Sequence, residues 1–537
     1  MAPVLPRPPW WRALAVLVAV ALVAGCSRGD DGATAPAPPS TGGPTGSAAP
    51  TGGRPGDRPP VDDGGPADPA AHATLGSWER CRGAFQCATL TVPRDWSELD
   101  GPTLDLAVMR RPATGERIGS LLLNPGGPGA SGRDFLEGFT SLPTGLGDRF
   151  DVVAWDPRGT GGSQRIDCTS DEELLGAEID PTPEDPADVA AIRADAQEGL
   201  DACLAAVGDL LEVVGTRSTV RDLDALRGAL GDDALTYLGY SYGTTIGLEY
   251  LRRYPHRVRA MVLDGVSLPG VDPVEDVHVQ AQGFERTLGA YLAACPRRPG
   301  CPLGQDPRAT LADVVARLEA ERVPASYALG ADGAQRQGTA GVGELYVAVA
   351  VSLYSEQGWG QLDRALAEVL GPEPAGRTLL SLRDSYYGRT AEGAWHDDAD
   401  ARGAIRCADQ EARAAQPEGD PALADRWGAE LPFWGRWFAV GTPGCWGLPP
   451  ATEPLATLAD GAVADAPPVV LVGSTEDPAT PYQQARDAHR VVEGSRLVTY
   501  EGPEHTAYRS LTDCIDNPVT AYLVALTLPP ADLRCPG

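Results

Sequence analysis

The stretch "ALTYLGYSYGTTIGLEYLRRYP", from Ala234 to Pro255, decides how the rest of the chain is read. It opens as a short apolar run, continues as an amphipathic helix that stops near Pro255, and carries a serine at the junction. Ser241 stands between Gly239 and Gly243. These glycines permit the close packing of a sharp strand-to-helix turn, which lifts a serine hydroxyl above the edge of a sheet. The pentapeptide alone is close to a chance event in a chain with 64 glycines. Its surroundings must decide whether Ser241 is a nucleophile.

The same rhythm of apolar strand, Gly-rich turn and helical stretch recurs. "SLLLNPGGPG" (Ser120–Gly129), "FDVVAWDPRGTGGS" (Phe150–Ser163) and "VRAMVLDG" (Val258–Gly265) follow it. Short continuous apolar runs alternating with helices predict an α/β fold, a mostly parallel sheet flanked by helices. From about Ser267 to Gly444 the rhythm lapses into mostly helical sequence rich in aromatic residues, such as Trp359, Tyr386, Trp434 and Trp437. It resumes at "PPVVLVGSTEDPATP" (Pro467–Pro481) and "SRLVTYEGPEH" (Ser495–His505). A largely helical cap, inserted over the C-terminal strand ends of one sheet, accounts for this better than two independent domains. The expected organisation is a leader at 1–25, a linker at 26–74, core at 75–266, cap at 267–443 and core again at 444–537.

The chain begins with Arg7 and Arg12, then an apolar run from Ala13 to Ala24 too short to span a bilayer. Basic start, short apolar segment and small residues before a cut site read as a secretory signal. It ends in "VAGC", which resembles a bacterial lipobox and implies a lipid on Cys26. Ser27 to about Ala73 is Pro, Gly, Ala, Ser and Thr, unable to bury a core and expected to act as a disordered tether. A net charge of −30 argues against nucleic acid as a partner, because phosphate binding needs a basic surface. Eleven cysteines leave ten once Cys26 is set aside, an even number in a chain expected to be exported. Pairing neighbours in sequence gives Cys81–Cys87, Cys168–Cys203, Cys295–Cys301, Cys407–Cys445 and Cys514–Cys535. No C-x-x-C pair or Cys/His cluster points to a metal, and no motif calls for a cofactor.

A serine needs a base. With 6 histidines the search is short, and His505 stands out, on a loop after the last apolar strand. The base needs a carboxylate to fix its tautomer. Asp477 follows the strand "PVVLVGS", and Asp264 is its rival at the end of "VRAMVLD". We favour Asp477, since Asp264 is followed by Gly-Val and can simply close a turn; Glu476 should point elsewhere. Oxyanion donors are expected from the backbone N–H of Tyr242, the residue after Ser241, and from the glycine loop "NPGGPG" (Asn124–Gly129).

"NPGGPGASG", "DVVAWDPRGTGGS", "GYSYGT", "TEDPATP" and "EGPEHT", in this order and spacing, resemble the secreted bacterial tripeptidyl aminopeptidases, relatives of the prolyl iminopeptidases within the α/β-hydrolases. The resemblance runs from about Cys81 to Cys535 and includes a characteristic C-terminal part from about Gly444. It implies Ser241, Asp477 and His505 as a catalytic triad and Gly127 as the oxyanion glycine, with Pro125 where the relatives carry a histidine. It implies an exopeptidase releasing short peptides from free N-termini, held by a lipid to the outer face of the cell membrane. An acidic residue of the cap should then bind the substrate ammonium, and Asp409 in "AIRCADQ", Glu344 and Glu275 are the candidates. Cell-envelope carboxylesterases of this group share the triad, so the triad does not separate peptide from ester. A non-enzymatic binding protein on the same fold would lack a triad member, and none is missing here.

Overall fold

The computed structural model describes residues 68–537 except 140–141, 144, 169–185, 330–333, 390–398, 411–420, 441–444, 446–450, 461, 464–465 and 510–511. The leader, Cys26 and most of the expected linker lie outside the described residues. At the start of the sheet, β1 (Thr74–Leu75), β2 (Glu79–Arg80), β3 (Gln86–Pro93) and β4 (Thr103–Arg111) pair antiparallel. β4 alternates exposed and buried residues over its first half, as a strand with one solvated face does. The next four, β5 (Gly119–Asn124), β6 (Phe150–Trp155), β7 (Leu235–Tyr240) and β8 (Val258–Asp264), are apolar almost throughout and buried on both faces. Between them and the last three strands, the only strands among the described residues form a separate hairpin, β9 (Val323–Leu329) with β10 (Ala334–Ala340). β11 (Val470–Ser474), β12 (Arg496–Glu501) and β13 (Leu533–Pro536) then complete an 11-stranded sheet in the order β1-β3-β4-β6-β5-β7-β8-β11-β12-β13, with β2 on β3. From β6 to β13 every neighbouring pair is parallel.

Successive residues of a strand serve opposite faces. Leu122 and Val153 belong to one core layer, with Leu223 and Ile246; Leu121, Leu123 and Val152 belong to the other, with Leu136 and Val519. A third core is separate. It gathers Phe284, Leu288, Tyr346, Trp434, Trp437 and Phe438 from the segment between β8 and β11. That segment is helical over Pro273–Ala294, Pro307–Ala320, Val342–Ser352, Trp359–Leu370, Arg377–Tyr386, Ala399–Ala408, Pro421–Glu430 and Gly435–Val440. The β9–β10 hairpin interrupts this largely helical segment; in β9 the buried Val323, Ala325 and Tyr327 alternate with the exposed Pro324 and Ser326, the period-2 pattern of a half-buried strand.

The "DVVAWDPRGTGGS" stretch is structural. Arg158 is fully buried, its guanidinium bonded to Asp222 at 2.6 and 2.7 Å and to the carbonyls of Arg94 and Val213. Asp156 accepts Ser131 Oγ and the N–H groups of Arg133 and Gly162. Five disulfides join Cys81–Cys87, Cys168–Cys203, Cys295–Cys301, Cys407–Cys445 and Cys514–Cys535. Cys407–Cys445 ties the helix Ala399–Ala408 to the chain entering the last strands.

Candidate active site

Ser241 joins β7 to the helix Tyr242–Arg253 with φ 52° and ψ −126°, a region that non-glycine residues rarely occupy. Such a residue costs about 1–3 kcal/mol and persists only where its neighbours over-determine it. Here the Ser241 N–H donates to the Asp264 carbonyl at 2.9 Å, and its carbonyl accepts the Thr244 N–H and hydroxyl at 2.8 and 2.6 Å. The flanking glycine is a packing requirement. A Cβ on Gly239 would lie 2.5 Å from the Gly243 carbonyl oxygen. The helix that starts at Tyr242 aims its positive end at the serine.

Asp477 follows β11 and is buried. Its Oδ1 accepts the N–H groups of Ala479 and Thr480 at 2.9 and 2.8 Å, and its Oδ2 accepts the Thr480 hydroxyl at 2.9 Å. His505 Nδ1 lies 3.0 and 3.1 Å from the two oxygens. An Nδ1–H donating there leaves Nε2 as the proton acceptor. Burial works to lower the His505 pKa, but the charge and hydrogen bond of Asp477, with the charge of Asp264, outweigh it and raise it above 6.5. Thr480, unnoticed in the sequence, stands between the pair, its hydroxyl also 3.3 Å from Nδ1. Glu476, beside Asp477, is exposed.

The serine and the histidine meet the same strand end. Ser241 is bonded to the Asp264 carbonyl, and a Cβ on Gly265 would lie 3.4 Å from His505 Cε1. Asp264 holds no imidazole. Its carboxylate takes the N–H of Ala507 at 3.0 and 3.1 Å and of Tyr508 at 2.7 Å, pinning the loop that carries His505. Burial, against those two donors, pushes its pKa up to about 7.

The glycine loop after β5 lies against the serine turn. A Cβ on Gly126, whose φ is +99°, would lie 2.5 Å from the Tyr240 carbonyl oxygen and 2.9 Å from the Tyr242 nitrogen. The Gly126 N–H is committed to Asn124 Oδ1 at 2.9 Å. No hydrogen bond among the described residues engages the N–H of Gly127 or of Tyr242. The N–H of Tyr242, next in the chain to Ser241, and the N–H of Gly127, next to the glycine that packs on the serine turn, are thus both uncommitted among the described residues. Tyr242 contributes its side chain differently, sharing a hydrogen bond with the Thr216 hydroxyl. The Tyr240 ring is buried edge-on to Phe135.

The three acidic candidates for the substrate ammonium are not equivalent, and the structure corrects two. Glu344 is buried within the cap, where it pairs with Arg322 at 2.9 Å and closes the helix start at the Gly341 N–H. Asp409 spends its oxygens on the Thr216 N–H and hydroxyl at 2.7 and 2.6 Å, with the Tyr242 hydroxyl at 3.5 Å, and so caps the helix Thr216–Ala229. Burial, opposed by those bonds, raises its pKa to about 7. Glu275 is exposed in the first turn of the helix Pro273–Ala294. Its neighbour Asp276, which the sequence did not single out, is half-buried. Its Oδ1 accepts Gln484 Nε2 at 3.1 Å, and burial raises its pKa. Among the described residues no cluster of three or more His, Cys, Asp or Glu could hold a metal.

A family model for the alpha/beta hydrolase fold matches residues 119–509. The chain is 38% identical over 480 residues to the serine protease Hip1 of Mycobacterium tuberculosis, spanning 85% of this chain and 90% of that protein. It is 37% identical over 485 residues to carboxylesterase B of the same organism, spanning 86% and 89%. It is 32% identical over 500 residues to the tripeptidyl aminopeptidase of Streptomyces coelicolor, spanning 87% and 86%.

Proposed function

The chain belongs to the α/β-hydrolases, in their tripeptidyl-aminopeptidase-like group of serine hydrolases, and from that premise we propose that it is an exported exopeptidase acting through an acyl-enzyme on Ser241. The observation that carries the reading is the strained serine at the strand–helix turn, sharing one strand end with a histidine held by a buried aspartate. In this mechanism His505 Nε2 takes the Ser241 proton as Oγ attacks a peptide carbonyl. The N–H groups of Gly127 and Tyr242 receive the oxyanion. His505 then protonates the leaving amine, and water, activated by the same imidazole, releases the acyl group.

In this reading the cap limits how much N-terminal peptide can enter, so that short peptides, tripeptides first among them, are released. Asp276 takes the substrate ammonium in this reading, because its second oxygen is uncommitted while Asp409 and Glu344 are occupied. Five disulfides support an oxidising compartment outside the cytoplasm. A lipid on Cys26, followed by the Pro/Gly-rich tether, would hold the domain at the outer face of the membrane. Replacing Cys26 with Ser should move the protein from the membrane fraction to the medium.

A second reading, a cell-envelope carboxylesterase with the same triad, is favoured by the 37% identity to a relative of that name. One panel separates them: a tripeptide amide with a free N-terminus, its N-acetyl form and a short acyl ester. Turnover of the first, lost on acetylation, is the expected result. Turnover of the ester alone would establish the second reading. Ser241→Ala should abolish both activities, and retained hydrolysis would refute the mechanism.

A further inference from the structure

The helix Ala399–Ala408 presents Arg402 and Arg406 one turn apart, hence on one face. Its last turn runs into Asp409, which reaches Thr216 and the Tyr242 hydroxyl, and so fixes this end of the helix to the residue that follows Ser241. Arg406 is half-buried, and among the described residues its guanidinium makes no hydrogen bond and no ion pair within 4.0 Å. The groups that act on it come from four elements. They are Asp276 at the start of the cap, Arg402 on its own helix, Tyr386 at the end of the helix Arg377–Tyr386, and Tyr242. Both arginines also act on Tyr354, whose ring stands edge-on to His505 with centroids 5.2 Å apart.

The hydrogen bonds of Asp409 place the end of this helix, and with it Arg406, close to the residue that follows Ser241. Burial pulls Arg406 below its ordinary range; Asp276 opposes the shift and Arg402 adds to it. Asp276 is not in contact with Arg406, and its bonded oxygen belongs to Gln484. A desolvated cation without a partner, beside a second cation, is an unfavourable resting arrangement that an incoming anion relieves. The planar fork of a guanidinium matches a carboxylate through two parallel hydrogen bonds.

We propose that Arg406 is a carboxylate subsite of the cleft, selecting substrates that carry a carboxylate near the bond to be cut. The inference rests on Ser241 hydrolysing acyl substrates and adds to that reading the charge of the substrate. The carboxylate comes either from an acidic side chain or from the free C-terminus of a short peptide. Together with Asp276 the cleft then offers opposite charges to the two ends of a small zwitterionic substrate.

The test uses the full mature protein and three peptides: Ala-Ala-Ala-Ala-amide, Ala-Ala-Ala-Ala as the free acid, and Ala-Ala-Ala-Glu-amide. The 4-nitrophenyl esters of pentanoate and of hydrogen glutarate are assayed beside them. The wild type should show a kcat/KM for a carboxylate-bearing substrate about 10- to 100-fold above its neutral partner, the range for one charge-assisted hydrogen bond. Arg406→Gln should bring that ratio to about one. The peptide arm that shows the preference identifies the side chain or the C-terminus as the source. Equal kcat/KM for charged and neutral substrates in the wild type, or an unchanged ratio in Arg406→Gln, would overturn the proposal. If only the esters are turned over, the peptidase reading fails while the ester pair still reads Arg406. Should Arg406→Gln not fold, Arg406→Lys and inhibition of the wild type by glutarate decide. A ratio unchanged in Arg406→Lys, with no competition by millimolar glutarate against the neutral substrate, counts against the subsite.

Discussion

β8 and β11 lie side by side, and each hands the chain a buried aspartate at its C-terminal end. Asp264 is the last residue of β8; Asp477 stands three residues past β11, in a turn. Both carboxylates act on the charge of His505, yet they hold different things. The turn at Asp477 supplies its own donors, Ala479 and Thr480, which fix the carboxylate while both oxygens stay within reach of Nδ1. Asp264 has no such turn, and its oxygens go to the Ala507 and Tyr508 N–H groups just beyond the histidine. Burial and residue type do not distinguish the two acids. Local chain geometry does: one orients the ring and the other orients the loop that carries it.

The most direct way to break this division is Asp477→Asn. The wrong tautomer of His505 then becomes favoured, and kcat should fall about 10⁴-fold, as for an Asp-to-Asn change in a Ser-His-Asp triad generally. A fall of less than about tenfold in steady-state assays would mean that something other than Asp477 orients the ring. Asp264→Asn should act mainly on the fold. An amide there presents N–H toward a backbone N–H, leaving a buried donor unpaired, at a cost of about 1–3 kcal/mol in urea unfolding. Its kcat should fall far less than that of Asp477→Asn; equal losses would erase the distinction. The pH dependence of stability gives a second reading. The Asp264 pKa is raised from 3.8 to about 7 in the folded chain, so the folded state keeps a proton that the unfolded state has released. Stability should therefore decline as pH rises from about 4 to about 7, and Asp264→Asn should flatten that part of the profile.

Much of this was legible in the sequence because it is local. The apolar runs at Leu121–Leu123, Val152–Ala154 and Val470–Val472 announce strands buried on both faces, and a serine between glycines at a strand–helix junction announces its own strain. The Asp477 turn was visible as "TEDPATP", and nothing but long-range register was needed to bring it to His505. The rest depends on packing across hundreds of residues. Asp264 looked like a rival acid because its partners, Ala507 and Tyr508, are 243 and 244 residues away. Asp409 and Glu344 looked free to bind an ammonium because nothing in their neighbourhood announces Thr216 or Arg322. Asp276 and Arg406 went unnoticed for the converse reason, since a partly buried charge with an uncommitted side has no sequence signature.

The smallest expected effect is the sharpest test of the comparison. His505 must be neutral to accept the serine proton, so kcat/KM falls as pH drops through its pKa, which lies above 6.5. The Asp264 charge helps to raise that pKa without touching the ring. Removing the charge while keeping the shape, as Asp264→Asn does, should move the acidic limb of the kcat/KM profile to lower pH by a few tenths of a unit, the scale of a neighbouring but non-contacting charge. Because Asp264 itself titrates near 7, the wild-type limb belongs to the coupled pair and should be broader than a single ionisation. In the variant it should narrow to one. A limb that stays in place and stays broad would mean that the carboxylate at the end of β8 is electrostatically silent, and that its bonds to the Ala507 and Tyr508 N–H groups are its entire contribution.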